Sequence, residues 1–360
     1  MTKALHARRV HVAAAVLAVV TATTGVVTVA SASAAASTTT TSSARAAAGW
    51  LARQLTGSHH DHYAVTFGGK QYPDAGETID GLLAMDAARA SQSAAARITS
   101  WLQANAKSYA TGSGATPGHY YPGALAKLLL AAEAQRAKPH SFGGLDLIRE
   151  LQSEEQPDGA FMNTADTSFG EGPIDQALAL IALSHTGSLY DWPNPRAIAW
   201  LVGQQCGDGG FTSATQSTPA STCSDVDATA YAAQALLTVH SSAAARALHW
   251  LSVHANSDGG FGLSNGKAAS NANSTALALQ AESQANHTVL VTKALNWLHR
   301  HQVTCSGPTA RRGAVVFSGS TFSQATALRA TTQAGQAFTR KWLGIINNTG
   351  AITAAPVLKC

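Results

Sequence analysis

Arg196-Ala-Ile-Ala-Trp200-Leu-Val-Gly-Gln204-Gln-Cys206-Gly-Asp208-Gly-Gly-Phe211 decides the fold, because the chain writes it more than once. Arg246 to Phe261 repeats the stretch, with His254 at the place of Gln204. Asp158-Gly159-Ala160-Phe161, Asp208-Gly209-Gly210-Phe211 and Asp258-Gly259-Gly260-Phe261 stand 50 residues apart each time. Eight residues upstream of them stand Glu150, Trp200 and Trp250, each followed by leucine. Trp-Leu pairs also occur at Trp50, Trp101, Trp297 and Trp342, so seven markers recur at a period near 50. A regular period of that size signals a repeat architecture.

Each unit reads as two helices. The first carries Trp-Leu and is amphipathic: Ala247, Trp250, Leu251 and His254 fall on one stripe. It is expected to stop at Asp-Gly-Gly, since glycines end helices and permit positive φ. The second helix is apolar nearly all round, as in Ile174 to Leu183 and Val226 to Val239. A helix apolar on every face is buried on every face. The first helix of a unit is therefore outer and the second inner. Inner helices are expected at Thr78–Ala90, Tyr121–Gln135, Pro173–His185, Val226–His240, Asn273–Ser283 and Phe322–Ala334, with a helix around Trp342 closing the ring. Ala314–Phe317 is a short strand candidate. The expected fold is all-α: an α/α toroid of about six outer–inner hairpins, with an open superhelix of helix pairs as the competing arrangement.

The pattern Arg196-x-x-x-Trp200-Leu-x-x-Gln204-x-x-x-Asp208-Gly209-Gly210-Phe211 resembles the QW-type repeat of the prenyltransferase and squalene-cyclase (terpenoid cyclase) superfamily. The resemblance is strong over residues 145–285. It implies an α/α toroid with a central cavity, in which the glutamine and the aromatic brace an outer helix against the next inner one. It also implies a candidate proton donor. The cyclases open an inner helix with D-x-D-D, whose middle Asp protonates an alkene or epoxide. The matching stretch is Asp225-Val226-Asp227-Ala228, with Asp227 in the middle and alanine at the last place. The same two acids also suit a helix N-terminus, where Asp caps free N–H groups and meets the helix dipole. The protein prenyltransferases hold zinc with Asp, a Cys two residues on and a distant His; Asp225 and Asp227 would take the first two places, without a thiolate. No metal and no cofactor is expected.

The first 36 residues read as an address. Lys3, Arg8 and Arg9 precede an apolar run from Val10 to Ala30, followed by small-residue cleavage sites. Residues 1–36 are expected to be a signal peptide, 37–44 a Ser/Thr-rich spacer and 45–360 the toroid; an uncleaved anchor is the alternative. The expected site of action is outside the cell, secreted or at its surface. Beyond the leader the charges nearly cancel, 21 Lys+Arg against 20 Asp+Glu, with no basic run, which excludes nucleic-acid binding as a main role. In an exported chain an even set of four cysteines reads as disulfides. Of the three pairings, Cys206–Cys223 closes a short loop and Cys305–Cys360 ties back the C-terminus; these are favoured.

A toroid gathers the starts of its inner helices at one mouth. Asp80, His119, Tyr120, Tyr121, Glu171, Asp175, Asn271 and Asn273 lie near those starts and form the expected ligand rim, each also being a candidate cap. His59-His60-Asp61-His62 is a dense loop cluster whose adjacent side chains cannot all face one ion. The favoured function is a toroid, expected to be a monomer, that binds a small apolar molecule of terpenoid or corrinoid type, or an extracellular protein partner, without catalysis. Membrane contact is expected only through an uncleaved leader. The alternatives are a class II, proton-initiated cyclase using Asp227, and a carbohydrate-active toroid with two carboxylates across the cavity.

Overall fold

The computed structural model describes residues 43–112, 119–164, 172–186, 194–223, 225–264, 268–358 and 360. Residues 1–36, most of the Ser/Thr spacer and Glu171 lie outside it. The helices are α1 (43–53), α2 (Ala75–Ala88), α3 (Gln92–Thr111), α4 (Pro122–Ala134), α5 (Leu147–Ser153), α6 (Pro173–Leu183), α7 (Pro195–Gly203), α8 (Val226–Thr238), α9 (Ala244–Val253), α10 (Ala272–Gln284), α11 (Thr288–His301) and α12 (Gln324–Ala337). The even-numbered helices are the inner ones. Each packs on its neighbours in the order α2, α4, α6, α8, α10, α12, and α12 returns to α2, so the ring is closed. The odd-numbered helices lie outside, α9 against α8 and α11 against α10. Buried alanines such as Ala177, Ala179, Ala230, Ala233, Ala276 and Ala278 let the inner helices approach. Pro122, Pro173 and Pro195 occupy first helical positions, where their missing N–H costs nothing.

The outer helices end a few residues before the repeated Asp-Gly-Gly, with Gln204 and His254 as C-caps. α7 stops at Gly203, and residues 206–210 then form a tight turn closed by Cys206 N–H on Gly210 O at 2.9 Å. The turn exists to meet the next outer helix. Gly159, Gly209, Gly259 and Gly313 hold φ of 93°, 99°, 88° and 95°. A Cβ on them would lie 2.3 Å from Arg196 C, 2.8 Å from Arg246 O, 3.1 Å from Lys293 O and 2.1 Å from Ala46 O. Each contact residue stands four before a repeat tryptophan, so glycine is demanded by conformation and by contact at once. The last of the four identifies the closing element: α1 receives the turn before α12, and Trp50 Nε1 donates to Ala310 O at 3.1 Å. Closure therefore falls to the first helix. Trp342 forms no outer helix; it precedes a single 3₁₀ turn, Leu343–Ile345.

Each turn is also fastened to an inner helix by a rule the sequence reading missed. Phe211 N–H donates to Thr229 Oγ1 (2.9 Å), Phe261 N–H to Thr275 Oγ1 (2.9 Å), Val315 N–H to Thr331 Oγ1 (2.8 Å) and Phe161 N–H to Gln176 Oε1 (2.8 Å). All four acceptors are buried, and an unpaired N–H there would cost about 1–3 kcal/mol. Gln204 does not brace the next inner helix as the resemblance implied. It exchanges bonds with Gln216 inside the Cys206–Cys223 loop, while Gln205 donates to Gly209 O and Ala243 O. His254 and His301 lie flat on Trp250 and Trp297, at 3.9 and 3.6 Å between ring centres.

Both expected disulfides are present, Cys206–Cys223 and Cys305–Cys360. After α12 the chain crosses the base of the ring. Leu343 N–H donates to Gln234 Oε1 (3.2 Å), and the segment then bonds Ala134 and Arg89 before Cys360 clasps Cys305. Ala314–Phe317 is no strand; Val315 makes one isolated bridge to Gln302. The sheet is a hairpin the helical reading passed over, β1 (Tyr63–Phe67) paired antiparallel with β2 (Lys70–Asp74). Among the described residues no helix is long and apolar enough to cross a membrane.

Candidate functional site

The inner helices run in one direction, so equal positions along them form rings around the axis. The sixth position holds Asp80 in α2, Lys127 in α4, Leu178 in α6, Tyr231 in α8 and Leu277 in α10. α12 carries an additional first turn and brings Gln333 to this level. With Leu343 below, these side chains enclose only about 10 Å³, the limit for a single water. The lumen at and below this ring is filled.

One charge pair is built into that filling. Lys127 Nζ lies 2.8 Å from Asp80 Oδ1 and donates to Gly76 O at 3.0 Å. Burial opposes its charge, but Asp80, Tyr109 and Tyr231 together hold its pKa above the ordinary lysine value. Above this level the second and third helix positions form the mouth: Glu77 on α2, Asp175 on α6, Asp227 on α8, Asn273 on α10, and Arg329 on α12. Burial, with help from Asp80, pushes Glu77 up to about 7 against the Thr332 hydroxyl that donates to it at 2.6 Å. Burial likewise raises Asp175, which accepts from Gly172 N–H at 3.3 Å. Asp227 rises to about 6, first by burial and then by Asp225, while the Ser274 hydroxyl and Arg329 oppose the rise. Its Oδ1 is buried without a hydrogen-bond partner, and so is Oδ1 of Asn273 on the neighbouring helix.

The rim residues expected from the sequence therefore divide. Asp80, Asp175, Asp227 and Asn273 share the mouth and its floor. Asp225 and Asn271 are the caps of α8 and α10, accepting from Ala228 N–H at 3.0 Å and Ser274 N–H at 2.9 Å. Asp227 is no cap. Tyr120 is held by its backbone, whose N–H donates to Glu154 Oε1 at 2.9 Å, and His119 adjoins the same carboxylate. The Tyr121 ring packs against Gly112, and its N–H bonds Ala110 O. Glu171 lies outside the described residues. The histidine cluster is dispersed: His62 pairs with Asp61 at 2.7 Å and stacks on Trp101, while His60 bonds Leu55 O. Cys206, Asp208 and Cys223 approach one another as metal ligands would, but the two sulfurs are joined to each other. Glu77, at the start of the first inner helix, was expected at the mouth with Asp80; Lys127 and Arg329 were missed. The signal was available in Gly-Ala-Leu-Ala-Lys127-Leu-Leu-Leu, where a lone lysine breaks a helix that must be buried all round.

A second space opens beside the mouth. A groove of about 570 Å³ runs between the hairpin and the start of α12, with Glu77 and Arg329 at its inner end. That volume lies in the range of small-molecule and peptide sites.

No protein-family model matches the chain, and no curated protein matches it in sequence. Its fold is matched among solved structures. A type II terpene cyclase from Scytonema superposes with a TM-score of 0.57 at 13% identity, covering 85% of this chain and 98% of that one. An ent-copalyl diphosphate synthase from Streptomyces platensis gives 0.51 at 19% identity, covering 76% of this chain and 52% of that one. An unsaturated glucuronyl hydrolase specific for heparin gives 0.59 at 12% identity, covering 84% and 96%. The closed ring of paired helices, the repeat turns and these superpositions agree: the chain has the α/α-toroid fold, which these terpene cyclases and the glucuronyl hydrolase share.

Proposed function

We propose that this is an exported, non-catalytic binding toroid whose ligand engages the mouth and is polar, rich in hydroxyl or ammonium donors. The observation that carries this is the pair of buried, unpartnered acceptor oxygens, Asp227 Oδ1 and Asn273 Oδ1, at one level of adjacent helices. Buried acceptors without donors cost free energy, and a ligand donor would recover it. A hydrocarbon chain brings no donors, and the space of about 10 Å³ below the mouth has no room for one. Of the occupants expected from the sequence, a small apolar molecule in the central cavity or an extracellular protein partner, this proposal keeps a small molecule and makes it a polar one at the mouth. The two disulfides are consistent with export.

Thermal-shift titration of the secreted protein tests this, with chitohexaose, hydroxocobalamin and geranylgeraniol as probes. A polar probe should raise the melting temperature of wild type, and Asn273→Ala should abolish the shift. A shift with geranylgeraniol alone would refute the reading.

A second reading has its own support. Asp227, with its pKa near 6 and one free oxygen at the mouth, retains a proton in mildly acid medium as a cyclase donor must. Ala228 stands where the cyclase motif has its partner carboxylate. Incubation with squalene, oxidosqualene and geranylgeranyl diphosphate should yield no cyclised product. A product that disappears in Asp227→Asn would establish the cyclase reading instead.

A further inference from the structure

We infer that the free edge of β1 is a docking site for an extended peptide, which pairs with it as a third strand inside the groove beside the mouth. This goes beyond the mouth reading: it shares Glu77 and Arg329 with the mouth but stands on the hairpin edge. The hairpin turns on Gly68 and Gly69, both at positive φ (57° and 77°), as a two-residue type I′ turn requires. In such a turn the flanking residues, Phe67 and Lys70, are a hydrogen-bonded pair, and pairs alternate from there. Val65 and Tyr72 are then bonded to each other. The backbone groups of Ala64, Thr66, Gln71 and Pro73 point outward. On β2 the outward edge is blunted by Pro73, which has no N–H to offer. On β1 the outward N–H and C=O of Ala64 and Thr66 are intact, and no group among the described residues takes them.

The open edge is the one that faces the groove. Ala64, Val65 and Thr66 all line it. Gln71, the cross-strand partner of Thr66, lines it as well, so the groove takes in one face of the hairpin together with the β1 edge. Across the groove, Leu328 and Arg329 of α12 leave a slot of about 570 Å³.

The flanking surfaces say what such a strand would carry. On the outer face of the hairpin, Val65, Phe67 and Tyr72 are 49%, 78% and 47% exposed, an apolar strip with nothing on it. On the groove side the inner end holds Asp74 and Glu77 against one cation, Arg329. A paired peptide should therefore place apolar side chains at alternate positions, over Val65 and Phe67, and a lysine or arginine between them, toward the carboxylates. Backbone pairing supplies affinity and the alternate side chains supply selection.

The test is selection of random heptapeptides displayed on phage against the full secreted chain, followed by titration of the enriched peptide, synthesised and labelled. The inference expects alternating apolar residues around one basic residue. It also expects N-methylation at every second peptide amide to weaken binding roughly tenfold in one register and to leave the other register unchanged. Thr66→Pro, which removes an outward N–H, should weaken binding similarly, with its melting temperature measured alongside. The N-methyl series keeps the protein wild type, so it decides even where Thr66→Pro unfolds the hairpin. Enrichment of no peptide, equal loss in both methylation registers, or binding of chitohexaose in the groove in place of a peptide would overturn the inference. None of these results depends on Asp227 or Asn273, so the mouth reading stands or falls separately.

Discussion

Asp225 and Asp227 are two residues apart and chemically identical, yet the fold gives them opposite tasks. Asp225 receives the N–H of Ala228 and ends the search of α8 for an N-terminal partner. Asp227 lies within the first turn with one oxygen unpartnered. Asp225→Ala should therefore cost about 1 kcal/mol and Asp225→Asn little. Asp227→Ala should be close to neutral or stabilising, because it removes a buried carboxyl that folding penalises. Denaturant unfolding of the three variants checks this, and a loss for Asp227→Ala equal to that for Asp225→Ala would show the roles reversed. The sequence could place both acids at a helix start but not choose between them, since a cap is defined by backbone angles at one residue. The repeat placed the mouth and several of its polar residues, but not its cation. Glu77, Asp175, Asn273 and Arg329 meet because four inner helices share a register, and the extra first turn of α12, which brings Arg329 to this level, is not written in the repeat.

Among elements, the repeat turn is the unit that matters. Trp250 and Trp297 donate from Nε1 to Asp208 Oδ2 and Asp258 Oδ2, at 3.0 and 2.9 Å, and both indoles are buried. They lie against Gly210 and Gly260, where a Cβ would come within 2.7 and 2.8 Å of the indole. The first such turn has Ala160 at this place, and its Trp200 is only half-buried. Trp200 and Trp250 hold equivalent helix positions, as the alignment implies, but differ in burial where Ala160 replaces the glycine. Trp250→Ala should cost roughly 3–5 kcal/mol and Trp200→Ala clearly less. Equal losses in denaturation midpoint would mean that the alanine does not separate them. The helices themselves were legible. Trp-Leu spacing located most of the outer ones, unbroken apolarity located the inner ones, and observed ends differ from expected ones by a few residues. The hairpin was not legible. Tyr63 to Asp74 has strand alternation and a Gly-Gly turn, but it interrupts a helical period and was absorbed into it. The threonines under the turns escaped because Thr in an apolar helix looks like filler until its hydroxyl is seen to receive a backbone N–H.

For the whole molecule, burial of acids sets the response to pH. Burial raises Glu77 and Asp86 to about 7, Glu133 to about 8 and Asp227 to about 6, from ordinary values of 4.5 for Glu and 3.8 for Asp. A carboxyl with a raised pKa binds its proton more tightly in the folded chain than in the unfolded one. Its stabilising share is complete below the unfolded value and is lost as pH climbs through the folded value. Denaturation midpoints should therefore fall between about pH 5 and about pH 8. Asp86→Asn should flatten part of the fall, since its carbonyl still receives the Gln135 amide. A midpoint that rises over this interval would contradict the burial of these acids. The clasp between Cys305 and Cys360 has a mechanical meaning. The 55 residues it spans include α12, which packs on both α10 and α2 and so serves as the keystone of the ring. Tension applied between the chain ends passes through the bond and bypasses that segment. An oxidised molecule stretched in a force spectrometer should give way from the α1 side, and its fully extended length should fall short of the reduced one by about 260 Å at about 3.6 Å per residue, of which this clasp accounts for about 200 Å and Cys206–Cys223 for the rest.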